Sequence, residues 1–322
     1  VKRVAAVLLL AGCVPEEAPD IEWSMLAVTF NTGTTDGLGH DAPPDDGYTS
    51  AHAATSDEHY GDGLAWLPAV DATAAFFADL QPDVVGFQEA FWTGECGAIP
   101  PEAHADFLCE REPADVDGGA PSVANLVLGP EYAVACHVGK PDKCVAVRSA
   151  WGSIRGCAGE LCLDGAAGEA VDGCGSGARV ASVIVDLVGG GELSVVHVHG
   201  SSGITGDDQR CREAQFDQAF AATNPAVPNL VLGDLNTDPG RYSGIDGSAA
   251  RWNEGIADGG FVVHTDVGIE ATPTYGGLTN IDHVASDAFV GDCVHPGLGT
   301  SEPVIEATYF DHLPAVCRLE VP

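Results

Sequence analysis

Again and again in this chain, a short apolar run of strand-forming residues stops on a polar side chain. Met25–Asn31 (MLAVTFN) ends on asparagine, and Asp83–Glu89 (DVVGFQE) ends on glutamine and glutamate. Glu192–His199 closes with His197 and His199, and Leu230–Leu232 runs into Gly233-Asp234-Leu235-Asn236. Two further clusters lie near the C-terminus, Asn280-Ile281-Asp282-His283 and Phe310-Asp311-His312-Leu313-Pro314. Runs of this length and composition read as strands. Strand ends on a rigid sheet are where a scaffold presents reactive groups.

The remaining pattern is mostly short strands. They are expected at 124–128, 132–136 and 144–148, and at 178–187 and 192–199 as a hairpin about Gly189-Gly190-Gly191. Others are expected at 261–265, 281–286 and 315–321. Leu67, Val70, Ala74 and Phe77 keep helical spacing within 64–80, and Pro82 follows as a stop. A second amphipathic helix is expected over 207–222, and Thr32–Gly63 reads as a long loop. No internal repeat or Pro/Ser-rich linker divides the chain after residue 23. The expectation is one α/β domain over 24–322, a four-layer sandwich of two mainly antiparallel sheets packed face to face and flanked by helices.

Val1-Lys2-Arg3, an apolar run to Leu10 and then Ala11-Gly12-Cys13 read as a secretory signal over 1–12. Leu10-Ala11-Gly12-Cys13 resembles a bacterial lipobox, which would make Cys13 a lipidated residue and 13–23 a tether. An ordinary signal with a chance cysteine is the alternative. Both place the protein outside the cytoplasm, secreted or lipid-anchored, with the lipid as its only membrane contact. Ten cysteines remain beyond Cys13, an even number that argues for disulfides in an exported chain. Cys136–Cys144, Cys157–Cys162 and Cys293–Cys317 are plausible local pairs.

The charge is lopsided, with 48 acidic residues against 13 Lys and Arg and a formal net of −35. A hydrated acidic surface suits solubility in a salty medium. It offers few of the basic patches that bind nucleic acid through counterion release. A polyanionic substrate would therefore be gripped locally, by metal and a few arginines.

Asp, Glu and Asn oxygens suit magnesium, manganese or calcium, and histidine suits proton handling. Together they suit phosphoester hydrolysis, in which a metal neutralises developing charge and a carboxylate activates water.

On these motifs, from Gln88-Glu89 through Gly-Asp-Leu-Asn at 233–236 to Asp-His-Leu-Pro at 311–314, the chain resembles the endonuclease/exonuclease/phosphatase superfamily. The resemblance runs from about Met25 to Val321. It implies a metal, Mg2+ with Mn2+ or Ca2+ as alternatives, held by Asn31 and Glu89 with Asp311 as a further ligand. Asp234 would orient or activate the attacking water, and Asn236 would hold the water and the phosphate. His199 would donate to a phosphate oxygen or to the leaving group. His312 would contact the phosphate, with Asp282 orienting its ring.

Other residues are weighed beside these. His197 and His199 are read as facing opposite sides of their strand, with His199 the functional ring and His197 structural. His283 is read as packing or surface. Arg241, soon after the Gly-Asp-Leu-Asn turn, is the substrate-contact candidate, whereas Arg210 and Arg212 are read as surface pairs. Gly200 stands where the superfamily usually has an apolar residue, and Glu131 is a weak candidate for a further acidic partner. The His- and Asp-rich stretch 36–62 is either a solvated loop beside the site, which is preferred, or a second metal site. The leading expectation is a monomeric extracytoplasmic phosphodiesterase of the endonuclease type acting on nucleic acid. A sphingomyelinase or phospholipase C-like enzyme acting on a phospholipid headgroup, a small-molecule phosphatase and a non-catalytic binding protein are the alternatives.

Overall fold

The computed structural model describes residues 24–35, 39–41, 45–111, 113–116 and 119–322. The expected signal, tether and Cys13 lie outside them.

Two sheets form the centre. Strands β1 (Ser24–Asn31), β2 (Val84–Gln88), β3 (Tyr132–His137), β4 (Lys140–Arg148), β6 (Leu161–Ala166), β12 (Val290–Val294) and β13 (Ala315–Glu320) make one, in the order β12-β13-β1-β2-β4-β3-β6. The second contains β5 (Gly152–Ile154), β7 (Val180–Leu187), β8 (Glu192–His199), β9 (Asn229–Asp234), β10 (Val262–Val263) and β11 (Asp282–Ser286), in the order β10-β11-β9-β8-β7-β5. Each sheet has a parallel pair at its middle, β1 with β2 and β8 with β9, flanked by antiparallel neighbours.

Strand alternation sorts the side chains into layers. Ala27, Val84, Val145, Val195, Leu230, Leu232 and Val284 face inward and fill the space between the sheets. Val28, Phe30, Val85 and Phe87 face outward under α2 (Leu67–Leu80) and α3 (Val123–Leu128). Val196, Val198 and Val231 face outward under α4 (Gly206–Ala221) and α5 (Gly247–Gly259), where Phe216 and Trp252 meet. The four-layer sandwich is the fold.

Residues 123–128 are a helix where a strand was expected. Ser122 accepts from Ala124 N at 3.3 Å and Asn125 Oδ1 accepts from Ser122 N at 3.2 Å, a reciprocal cap that starts a helix turn. The run 261–265 keeps only Val262–Val263 as strand. The stretch 32–63 is partly ordered secondary structure, with α1 (Ser50–Thr55) and a π-helical turn at Ser56–Tyr60.

Five disulfides lie among the described residues, including all three expected local pairs. Cys96–Cys109 and Cys174–Cys211 complete the set, the latter tying the segment before β7 to α4.

Candidate active site

The inward-facing residues change character along the sandwich. Apolar at one end, they turn polar through Thr29, Gln88, His137, His197 and Lys143, all buried. Gln88 Nε2 donates to Thr29 Oγ1 (3.2 Å) and to the His197 ring. His197 Nδ1 then donates to His137 Nε2 (2.8 Å), and His137 Nδ1 donates to Ala178 O (3.1 Å). Every ring nitrogen is used once, with both rings neutral. Burial agrees, lowering His137 to about 4 and His197 well below its ordinary value.

The expectation that His197 and His199 face opposite sides is corrected here. Residues two apart share a face of a strand, so both rings point inward with Leu193 and Val195. What separates them is depth. His197 sits in the polar string, while His199, one pleat further, reaches the mouth of the sandwich.

There the strand ends converge. Asn31 pairs with Gln88 across β1 and β2, and Asp234 is flanked by His199 on β8 and Asp282 on β11. Asp234 is almost completely buried and heavily engaged. Its Oδ2 accepts from Asn31 Nδ2 (3.0 Å) and Asn236 Nδ2 (3.1 Å), and its Oδ1 accepts from Asn236 N (2.7 Å). Two imidazoles flank that Oδ2, His199 Nε2 at 3.6 Å and His312 Nε2 at 3.9 Å. His312 Nδ1 donates to Asp282 Oδ2 at 2.7 Å.

The two rings differ in charge. Burial pushes His199 well below its ordinary value, and the cations of Lys143 and Arg179 push the same way. Burial would also depress His312, but Asp282, Asp234 and Asp311 outweigh it and raise the ring to about 10. Asp234 is raised to about 7, by burial first and the Asp282 charge second. The centre thus joins a neutral imidazole, a cationic imidazole and a carboxyl group poised near neutrality.

Two residues reach this geometry through unusual backbone. Glu89 (φ 59°) and Asn236 (φ 52°) are left-handed, a conformation non-glycine residues adopt at a cost and often at functional sites. In both, the turn swings a side chain from a strand end back over the mouth.

Glu89 lies beside Asn31 and His199, with His199 Nε2 at 3.5 Å from its Oε1 and 30% of its side chain open to solvent. Burial of its carboxylate raises its pKa, though His312 and Lys143 oppose the shift. Asp311 is raised to about 6, chiefly by burial, and its buried Oδ1 has no hydrogen-bond partner. A Cβ at Gly33 would lie 2.0 Å from Glu89 Oε2 and 3.2 Å from Asn31 Oδ1, so only glycine leaves this cradle clear. Crowded oxygen donors with an orphaned carboxylate oxygen fit a hard divalent cation. Among the described residues, one group of three or more His, Cys, Asp or Glu side chains could share an ion, namely Asp234, Asp282 and His312. That trio is already joined internally by the His312–Asp282 bond. Asp282 Oδ1 and Asp311 Oδ1 are both buried without a hydrogen-bond partner, and Asn31 Oδ1 accepts from Gly33 N at 3.0 Å.

The other candidates fall as follows. Arg241 is exposed, its Nη1 donating to Leu278 O (2.6 Å) and its guanidinium lying over Tyr242. Arg210 pairs at the surface with Asp207, as expected. Arg212 does not. It is buried, donating to Ser248 Oγ, Ser201 O, Gly203 O and Asp246, because residues two apart on a helix face nearly opposite directions. His283 is buried against Thr265 and Asn280 O. Glu131 is exposed at the start of β3. In 36–62, the His40 ring bonds Thr35 O, and His52 caps α1 and packs beside Tyr48. Gly200 is explained by close approach, since a Cβ there would lie 2.4 Å from Leu235 O.

Lys143 is a residue that motif reading passes over. It is buried, paired with Asp142, and its charge acts on Glu89, His197 and His199. Its signal in the sequence was slight, since it is one of three lysines and directly precedes the strand expected at 144–148.

No protein-family description and no curated protein match this chain. Solved structures do. The human Nocturnin catalytic domain with bound sulfate is 13% identical, covering 93% of this chain and 95% of that one, with a TM-score of 0.55. An endonuclease/exonuclease/phosphatase from Beutenbergia cavernae DSM 12333 is 15% identical, covering 92% of this chain and 72% of that one, at 0.52. A beta toxin from Staphylococcus aureus is 13% identical, covering 91% and 99%, also at 0.52. The chain shares their fold across nearly its whole described length.

Proposed function

We propose that this protein hydrolyses phosphate esters, as a divalent-metal-dependent phosphodiesterase working outside the cytoplasm. The observation that carries the reading is Asp234 Oδ2, held by two asparagine amides and flanked by a neutral and a cationic imidazole. That arrangement suits a water that must lose a proton while negative charge grows on phosphorus-bound oxygens. The Nocturnin catalytic domain, which shares the fold, was solved with a bound sulfate anion, and a phosphoryl group is an oxyanion of the same shape.

In this reading Asp234 takes the proton of the attacking water, whose oxygen bonds to phosphorus. The phosphorus–oxygen bond to the departing alcohol breaks, and that oxygen takes a proton from His312, the protonated ring of the pair. His312, kept cationic by Asp282, meets the charge on the phosphoryl oxygens. His199 stands on the other side of Asp234, and Asn236 fixes the carboxylate that works on the water. Asn31, Glu89 and Asp311 would hold Mg2+, with Mn2+ or Ca2+ suiting the same oxygens. When bound, the ion supplies Lewis-acid neutralisation of a phosphoryl oxygen.

The disulfides fit an oxidising compartment. Export as a monomer, with Cys13 as a lipid anchor, belongs to the same proposal. The nuclease form has one observation against it. Lys143 and Arg212 are buried and paired, and Arg241 is committed to Leu278 O, so beside the centre a polyanion would meet chiefly Arg179, whose Nη1 donates to Gly200 O at 3.3 Å.

The test is hydrolysis of bis(p-nitrophenyl) phosphate with Mg2+, Mn2+ or Ca2+, against a chelator control and Asp234→Ala and His312→Ala. Metal-dependent turnover lost in both variants is expected. Turnover indifferent to chelator, or retained by both, would sink the reading.

A further inference from the structure

Beside Asn236 and His312 the loops after β8 and β9 and the loop before β11 enclose a cavity of about 610 Å³. Its apolar lining comes from Ile204, Tyr242, Ile245, Tyr275 and Ile281. Asn236 lines it too, and the Tyr275 ring packs 4.9 Å from the His312 ring, so the cavity opens directly onto the centre. Its one cation, Arg212, is answered by Asp246 at 3.0 Å and donates to three further oxygens. The rest of the lining is uncharged.

The rim is unusual for a protein this acidic. Ile204 is 90% exposed and Ile245 80%, and Leu278 on the neighbouring 275–279 turn is 72% exposed. Solvated aliphatic side chains gathered at a concave mouth mark a binding surface. Arg241 holds the Leu278 carbonyl, which fixes the turn that forms one wall.

We propose that this cavity is a subsite for an apolar ester substituent of the substrate, resting on the phosphodiesterase reading above. The substrate class is then a phosphodiester carrying an alkyl or aryl group next to the reacting phosphorus. A nucleic acid would bring further phosphates to this side, where no unpaired cation lines the cavity.

The experiment compares p-nitrophenyl phosphodiesters that share a leaving group and differ in the second ester: methyl, hexyl, phenyl and 5′-thymidyl. For the unmodified protein, kcat/KM for the hexyl or phenyl diester should exceed the methyl diester at least about tenfold, the scale of filling an apolar pocket. Ile245→Asp and Ile204→Asp should bring that ratio close to one while their melting temperatures stay near the unmodified value. Equal rates for methyl and hexyl, a ratio unmoved by either substitution, or a preference for the thymidyl diester would overturn the subsite. If no diester turns over with any metal, the phosphodiesterase reading fails instead. Calorimetric binding of hexyl phosphate against methyl phosphate then decides the subsite. Tighter hexyl binding lost in Ile245→Asp supports it, and equal binding overturns it.

Discussion

His312 bonds Asp282 Oδ2 through Nδ1 at 2.7 Å and turns its Nε2 toward Asp234 Oδ2 at 3.9 Å. One carboxylate thereby sets the charge of a ring that faces a second carboxylate. Asp282→Asn should keep a hydrogen bond but remove the charge. His312 should then titrate below its present value of about 10, and turnover should fall by about a hundredfold, the scale of general acid–base assistance. An NMR titration of the ring beside steady-state kinetics checks both. An unmoved titration would mean that Asp282 does not govern the ring.

Metal binding should depend on pH through the ligand carboxyls. Asp311 is raised to about 6, and Glu89 is raised as well. Protons compete with the cation for these oxygens, so Mn2+ affinity should rise as pH climbs through about 6. Glu89→Gln and Asp311→Asn should each weaken it at least about tenfold. Gly33→Ala, whose Cβ would press on Glu89 Oε2, should weaken it too. Calorimetric Mn2+ titrations at several pH values give the answer without any turnover assay.

The buried histidines predict an acid limb in stability. His137 is lowered from 6.5 to about 4, chiefly by burial. Above pH 6.5 the ring is neutral folded or unfolded, and nothing is lost. As pH falls from there toward 4, the unfolded chain takes a proton that the folded one refuses, and stability declines. A shift of that size corresponds to about 3 kcal/mol at full effect. His137→Gln keeps hydrogen-bonding atoms but cannot charge, so its melting temperature should drop less between pH 7.5 and 4.5. Parallel curves for the two proteins would contradict this assignment.

The long-range disulfide should matter for stability more than for chemistry. Cys174–Cys211 closes a separation of 37 residues, for which the chain-entropy argument gives about 3 to 4 kcal/mol. Replacing both cysteines with serine should lower the denaturation midpoint by an equivalent amount. A midpoint unchanged within error would show that the unfolded chain is not restrained by this link.

The centre was legible in the sequence because most of its residues sit at the end or the start of an apolar run, and a strand end fixes where a side chain goes. Asn31, Glu89, His199, Asp234, Asp282 and His312 meet for that reason. The misreadings share a cause, which is inferring direction from spacing alone. Two-residue spacing keeps His197 and His199 on one face of a strand, yet turns Arg210 and Arg212 apart on a helix. Helix 123–128 looked like a strand because its six residues are nearly all apolar, and only the Ser122–Asn125 cap distinguishes it. The cavity beside Asn236 could not be read at all. Its walls come from three segments spread over residues 202–281 that meet only in the folded chain.

The two sheets divide the working parts between them. Asn31 and Glu89 hang from one, with Asp311 and His312 on the approach to its β13, while His199, Asp234 and Asp282 hang from the other. The spacing between the Glu89 and Asp234 carboxylates is therefore a property of how firmly two slabs are bolted together. Val195 and Leu232, remote from any reacting atom, act as the bolts. A void opened among them would let the slabs slip and would be felt first as misalignment at the mouth, before it was felt as unfolding.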